Sequence, residues 1–387
     1  MRSVDAVVIG GGVAGLISAM KLAENGLEVI VAEEHGDIGV PEHCAGLYSR
    51  RGLEMLKLNS VEKCIENNRV KGAYFYSPSG KMLKIESPRS VAVVCSRTSL
   101  DKLLAKIVKE NGGELLLGER IIELKKNRQD NYIVKTKSGL ELSSKIVIDA
   151  EGMQSLILHR FLGKKTERRM WVPIIQLWVE KHDLDPRYVH IFFEEYAQEF
   201  FGYAIPIDEE YAKIGLASRM DLKKKIEKFL KERFPCVGVF KQVSHAVYTG
   251  RPLYIDLDSR AVPVGDAAGH VKASTGGGVI MGGLIAQNVA EALSKKLLEK
   301  EDWIRNKHTI RKLIRELEKI AYTTKVIRSV PVKLYDKIFN LLDDEYVLEE
   351  ISREADMDLQ FTSISRILSK PKIILNILRK LFLTILF

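Results

Sequence analysis

The run Gly10-Gly11-Gly12-Val13-Ala14-Gly15 falls between two segments of different periodicity, and few folds accommodate that arrangement. The preceding VDAVVIG is a short, β-branched stretch of strand length. The following LISAMKLAENG has apolar residues at helical spacing and Gly26 as its stop, and LEVIVAEE then reads as a second strand. Strand, glycine turn, helix and strand make a βαβ unit of the dinucleotide-binding kind, in which each glycine has its own task. Gly10 permits the tight turn, Gly12 lets backbone approach a pyrophosphate, and Gly15 allows close helix–strand packing. The free N–H groups at the helix start favour the negative charge of that pyrophosphate. Glu33 closes the second strand 18 residues beyond Gly15. A carboxylate there can accept hydrogen bonds from both hydroxyls of an adenosine ribose, and the backbone of Glu34 lies on the adenosine's route.

A second glycine cluster narrows the ligand. In PVGDAAGHVKASTGGGVIMGG, Asp266 follows a strand and Gly276-Gly277-Gly278 opens another helix. The Asp266 carboxylate suits the ribitol hydroxyls of a flavin. The N–H groups around Gly277, Gly278 and Val279 suit negative charge at the flavin N1/C2 carbonyl edge. The two motifs together point to FAD. No second G-x-G-x-x-G exists for a resident nicotinamide domain, so the reductant, NAD(P)H or a reduced ferredoxin-type donor, has to visit from outside.

The intervening chain predicts an α/β protein with a discontinuous cofactor domain. Residues 98–111 read as a helix capped by Thr98. ELLLGERIIEL, NYIVKTKS and SKIVIDAEG read as strands. From about residue 165 to 250 short strands alternate with turns, the pattern of an antiparallel sheet able to roof a pocket, interrupted by the helix LKKKIEKFLKERF. The expected architecture is a Rossmann-like FAD-binding domain (1–68, 92–163 and 250–300) interleaved with an antiparallel-sheet substrate domain (69–91 and 164–249). C-terminal helices follow over 301–387.

Six stretches give the chain a resemblance to the geranylgeranyl reductase family, within the flavoproteins of the para-hydroxybenzoate hydroxylase fold. They are GGGVAGL at the start, IGVPEHCAG at 38–46, CSRTSLD at 95–101, IDAEG at 148–152, FFGYAIP at 200–206 and VGDAAGHVKASTGGG at 264–278. They follow the family's order and spacing over about the first 300 residues. The resemblance implies that Arg97 of the R-x-x-L/F-D motif contacts the cofactor and that Ile121 lies beside the adenine. It also implies that the P-x-x-C-G loop, here Pro41 to Gly46, lies near the isoalloxazine. Ala45 and Gly46 leave backbone free to approach the ring. Cys44 is then the leading candidate for an active-site acid or redox-sensitive group, with a protonated His43 beside it favouring the thiolate. The stretch Phe201-x-Tyr203-x-Ile205-Pro206 is similar to the family's Y-x-W-x-F-P with each aromatic position changed, and resembles the W-x-W-x-I-P of flavin-dependent halogenases. It is expected to line the substrate, with Tyr203 donating a hydrogen bond. Trp171, Trp178, Phe192 and Phe193 either line an apolar tunnel or form the core of the sheet, the commoner place for such side chains. Glu151 stands where the family has an aspartate.

The implied activity is hydride transfer from reduced flavin to C=C bonds of a polyprenyl, geranylgeranyl-type lipid. A flavin monooxygenase or halogenase, or a membrane-associated electron-transfer flavoprotein, is the alternative, because the fold serves several chemistries. The formal charge of +9 suits an acidic membrane surface. No nucleic-acid module is present, and no metal-ligand spacing. Cys44, Cys64, Cys95 and Cys236 form no C-x-x-C pair, which suits a reducing interior. With no leader-like start, the expected location is cytoplasmic, peripheral on the inner face of the membrane. The tail 363–387 carries five basic residues and no acidic one. It is too short and too charged to span a bilayer but suited to lying in its surface, or to docking on the protein body or a partner.

Overall fold

The computed structural model describes residues 1–58 and 65–386; Cys64 lies outside them. The N-terminal strand Arg2–Ile9 runs unbroken apolar from Ala6 to Ile9, where it is buried on both faces. It lies parallel between Val29–Glu33 and Glu141–Asp149. Glu114–Leu117 adds a further parallel strand outside Val29–Glu33. The far side of Glu141–Asp149 is shared by the antiparallel pair Tyr132–Thr136 and Ile121–Lys126 and by the parallel strand Ala261–Pro263. Helices Val13–Glu24, Arg97–Glu110 and Val279–Leu297 cover one face, with Leu16, Ile17, Leu100, Leu104, Met281 and Ile285 in a shared core. The helix expected from residue 98 starts one residue earlier and is capped by Ser96, whose side chain accepts the Ser99 N–H. Thr98 instead donates its hydroxyl to the Gly39 carbonyl at 2.7 Å.

The second sheet runs Gly238–Tyr248, Trp171–Glu180, Tyr211–Ala217, Gly202–Pro206, Tyr188–Phe192, Gly72–Tyr76 and Met82–Glu86. Its neighbours are antiparallel except for the parallel pairing of Tyr188–Phe192 with Gly72–Tyr76. Strand alternation divides its two faces. Ile175, Leu177, Ile214, Leu216 and Phe192 pack on Ile226 and Phe229 of the helix Leu222–Arg233. Val172, Ile174, Tyr203, Ile205 and Ala217 face inward, towards Val94 and Leu47 of a small three-stranded sheet. Phe192 therefore does not line a tunnel: it packs edge-on to Phe229 and Phe234 on the outer face. Phe193 packs on Tyr335 and Phe339, and Trp171 on Tyr248.

The long helix Trp303–Ser329 lies against Val279–Leu297. Beyond Pro331 come Tyr335–Leu342, Glu345–Glu354, Gln360–Leu368 and Pro371–Leu386. Among the described residues, no helix is long and apolar enough to cross a membrane.

Candidate functional site

The three glycines of the first loop meet different surroundings. Gly10 has φ +100°, and a Cβ there would lie 2.5 Å from the Ala150 carbonyl oxygen. A Cβ on Gly15 would lie 2.0 Å from the carbonyl oxygen of Gly10, so helix and turn touch backbone to backbone. At Gly12 the nearest atom to such a Cβ is an Arg97 guanidinium nitrogen at 3.6 Å. Protein packing does not require glycine there, and the space beside it is open to an approaching ligand. Gly12 also caps the helix Val13–Glu24 without any side-chain bond to its N–H groups.

Beside this turn a cavity of about 260 Å³ is lined by Gly10, Gly12, Glu33, Glu34, Arg97, Ile121, Glu151 and their neighbours. Glu33 is fixed at its rim: one carboxylate oxygen accepts the Gly11 N–H at 2.6 Å, the other the His35 N–H at 2.9 Å. Glu34 accepts from Gln154 at 2.9 Å and pairs with Arg120 at 3.5 Å. Arg97 donates through Nε to the buried Asp101 at 2.7 Å, so the same arginine is anchored in the core and presented to the cavity. Glu151 accepts the Ile157 N–H at 2.6 Å, holding the start of a short helix. Burial raises the pKa of the fully buried Asp149 carboxyl, and Glu151 adds to the effect.

The second glycine loop meets the first. A Cβ on Gly265 would lie 2.7 Å from that of Ala14. A Cβ on Gly278 would lie 2.8 Å from an Asp266 carboxylate oxygen, so that carboxylate sits against the start of helix Val279–Leu297. Asp266 is solvent-exposed, yet the surrounding protein still pushes its carboxyl up, with Arg97 pulling the other way. Two helix starts without side-chain caps thus converge, with a carboxylate at each: Glu33 on one side, Asp266 on the other. That donor and acceptor set fits a dinucleotide whose pyrophosphate needs N–H groups and whose two polyol arms need carboxylates.

Cys44, Ala45 and Gly46 lie between this cradle and the second sheet. Gly46 has φ +83°, and a Cβ there would strike the Cys95 carbonyl oxygen at 2.3 Å. The Cys44 sulfur lies 3.6 Å from the Tyr48 hydroxyl and accepts the Gly46 N–H at 3.4 Å. The imidazole expected beside it is turned away: His43 stacks on His245 at 5.8 Å between centroids. Burial, then Arg97 and His35, lowers the His43 pKa, so a protonated His43 beside the thiol is not what this loop provides. Tyr203 donates to the Gln176 side-chain oxygen at 2.7 Å, and Gln176 donates to the Cys44 carbonyl at 3.3 Å. Burial, and then Cys44, raises the pKa of the Tyr203 hydroxyl.

Sequence reasoning missed Gln176, Glu42 and Lys213. Lys213 has no exposed side-chain surface and donates to Glu42 at 3.1 Å, tying the cysteine loop to the second sheet. Its ammonium also lies 5.5 Å from the ring centre of Trp178. A lysine within the apolar strand YAKIGLA was the available signal.

The family described as lycopene cyclase protein has a model that matches residues 5–340. A Methanocaldococcus jannaschii protein designated MJ1520 is 28% identical over 364 residues, covering 92% of each chain. A digeranylgeranylglycerophospholipid reductase of Methanococcus vannielii is 28% identical over 318 residues, covering 78% of this chain and 80% of the relative. Among solved structures, a geranylgeranyl bacteriochlorophyll reductase-like protein of Thermoplasma acidophilum superimposes with a TM-score of 0.81 at 22% identity, covering 98% of this chain and 100% of that one. The flavin-dependent brominase Bmp2 superimposes with 0.70 at 19% identity, covering 91% and 93%.

Proposed function

The chain belongs to the lycopene cyclase protein family and is an FAD-dependent oxidoreductase akin to the geranylgeranyl reductases, and from that premise we propose that it saturates C=C bonds of a polyprenyl lipid. The observation that carries this reading is the meeting of three parts at one place: the cysteine loop, the apolar inner face of the second sheet, and the dinucleotide cradle. Relatives named for digeranylgeranylglycerophospholipid reduction support the lipid class.

Bound and reduced, FAD supplies a hydride for one alkene carbon. In this reading Gly10, Gly12, Gly15, Glu33, Glu34, Arg97 and Ile121 hold the ADP half. Asp266, Gly277, Gly278 and Val279 hold the ribitol and the flavin edge, and Ala45 and Gly46 leave it room. The other alkene carbon needs a proton, which we assign to the Cys44 thiol. Tyr203 keeps its own proton at neutral pH and, through Gln176, fixes the cysteine loop. Val172, Ile174, Ile205 and Phe201 exclude water and accommodate the prenyl chain. The first, third and last segments of the first 300 residues (1–68, 92–163, 250–300) act as the cofactor unit and 69–91 with 164–249 as the substrate unit.

The electron donor, NAD(P)H or a ferredoxin-type protein, reaches the flavin transiently. Ile364, Leu368, Ile374 and Leu375 stand exposed on the last two helices, flanked by Lys370 and Lys372. In this reading they rest on the acidic inner membrane surface, while Ile373, packed with Val347 and Ile367, and Lys380, donating to the Asp343 carbonyl, dock the last helix on its neighbours in the C-terminal region. The test is to incubate the reduced protein with geranylgeranyl lipids and weigh the products. Two hydrogens gained per saturated bond support the proposal. Unchanged lipid defeats it, and an oxygenated or halogenated product would favour the chemistry of other proteins with this fold.

A further inference from the structure

The loop after Asp266 is held from outside. Lys272 is 8% exposed, and its ammonium donates to the Asp358 carboxylate at 2.7 Å and to the Met357 carbonyl at 2.8 Å. Asp358 is 5% exposed, and its second oxygen accepts the Ser49 hydroxyl, whose oxygen in turn accepts the Gly52 N–H at 2.9 Å. On the loop side, the Lys272 carbonyl accepts the N–H of Gly276 at 2.8 Å, and its N–H donates to the Gly277 carbonyl at 3.2 Å. A Cβ on Gly277 would lie 3.0 Å from Lys272 Cε, so the lysine stem is itself a wall of the glycine run. Two further ties reinforce the same stretch. The Ser274 hydroxyl donates to Gln360, and Arg328 donates to the carbonyls of Ala273 and Ser274 at 3.1 and 3.2 Å.

Glycines bring no side chains to hold a loop in shape, while anion binding by backbone N–H groups needs them aligned before the ligand arrives. A lysine withdrawn from water is tolerated only with a fixed counter-charge, and here that counter-charge lies 86 residues away in the C-terminal region. We propose that the buried Lys272–Asp358 pair holds loop 272–278 in its flavin-binding form, which makes the segment 356–360 an integral part of the cofactor site and Lys272 and Asp358 positioning residues. The proposal rests on the reading that this loop holds the flavin edge.

The test compares holoprotein carrying Lys272→Met, Lys272→Arg, Asp358→Asn or the double change Lys272→Met/Asp358→Asn, with the wild type alongside. Flavin release on dilution is followed by recovery of its fluorescence, and thermal unfolding is recorded in parallel. The expected result is at least tenfold weaker retention of FAD in Lys272→Met and Asp358→Asn, with Lys272→Arg close to wild type. The double variant should lose no more than either single one. If both single variants unfold at lower temperature but retain FAD as the wild type does, the pair is merely structural and the proposal falls. Losses that add in the double variant also overturn it. If Lys272→Met does not fold, the near-isosteric Asp358→Asn decides by the same readout. A wild type that takes up no flavin would instead refute the flavin reading itself.

Discussion

Replacing Gly12 with alanine separates two demands on the first glycine loop. A methyl there meets nothing closer than Arg97 at 3.6 Å, and the backbone (φ −79°, ψ 176°) suits any residue. The same methyl at Gly15 would lie 2.0 Å from the Gly10 carbonyl oxygen, well inside ordinary contact, with rigid backbone on both sides. Gly15→Ala should therefore destabilise the flavin-free protein by about 1–3 kcal/mol or more, as overpacking does. Gly12→Ala should change that stability by less than about 0.5 kcal/mol. Its methyl occupies the side from which a pyrophosphate approaches, and losing even one hydrogen bond to a charged group costs roughly 1.5–3 kcal/mol. That corresponds to about 10- to 150-fold weaker FAD binding. Denaturant unfolding of deflavinated protein gives the first quantity, and quenching of flavin fluorescence on titration gives the second. FAD affinity unchanged in Gly12→Ala would refute the assignment of that glycine to the ligand, and so would destabilisation equal to that of Gly15→Ala.

Lys213→Met leaves Glu42 without its ammonium partner, and breaking a buried pair costs about 3–5 kcal/mol. The lower end applies because Glu42 also accepts from Arg97 N–H and Thr98; an unchanged unfolding midpoint would contradict the pair's role in holding the cysteine loop. His270 is fully buried, and burial lowers its pKa to about 4, with the Leu253 carbonyl acting the other way. The unfolded chain takes up that proton from about pH 6.5 downward while the folded one does not, so stability is intact above 6.5 and falls towards pH 4. The slope approaches about 1.4 kcal/mol per pH unit for this group, and His270→Asn should flatten an unfolding series over pH 7 to 4 by that amount. Exposed Ile374 and Leu375 changed to glutamate should weaken sedimentation with anionic vesicles by about 100-fold or more, at ~1.5–3 kcal/mol per apolar side chain. Equal sedimentation would remove the membrane from the account of this face.

The parts of the protein legible in the sequence depend on neighbours only a few residues away. Periodicity marked the strand before Gly10 and the helix after it, and the glycine spacing marked a turn whose demands are met inside one βαβ unit. The same local logic found Asp266 and the glycine run at the next helix start. It placed the cap of the 97–110 helix at the wrong hydroxyl, because Ser96 and Thr98 both satisfy the pattern and only the position of Gly39 assigns Thr98 elsewhere. Strand register then decided what composition left open. Phe192 belongs to the face covered by Phe229, while Gln176, Tyr203 and Lys213 belong to the face over Cys44. Alternation states that two faces exist but not which layer each one meets. The partners of Lys213 and Lys272 lie 171 and 86 residues away. No local pattern encodes such a pairing; it exists only once separate layers have packed and a buried charge must find an opposite charge within reach.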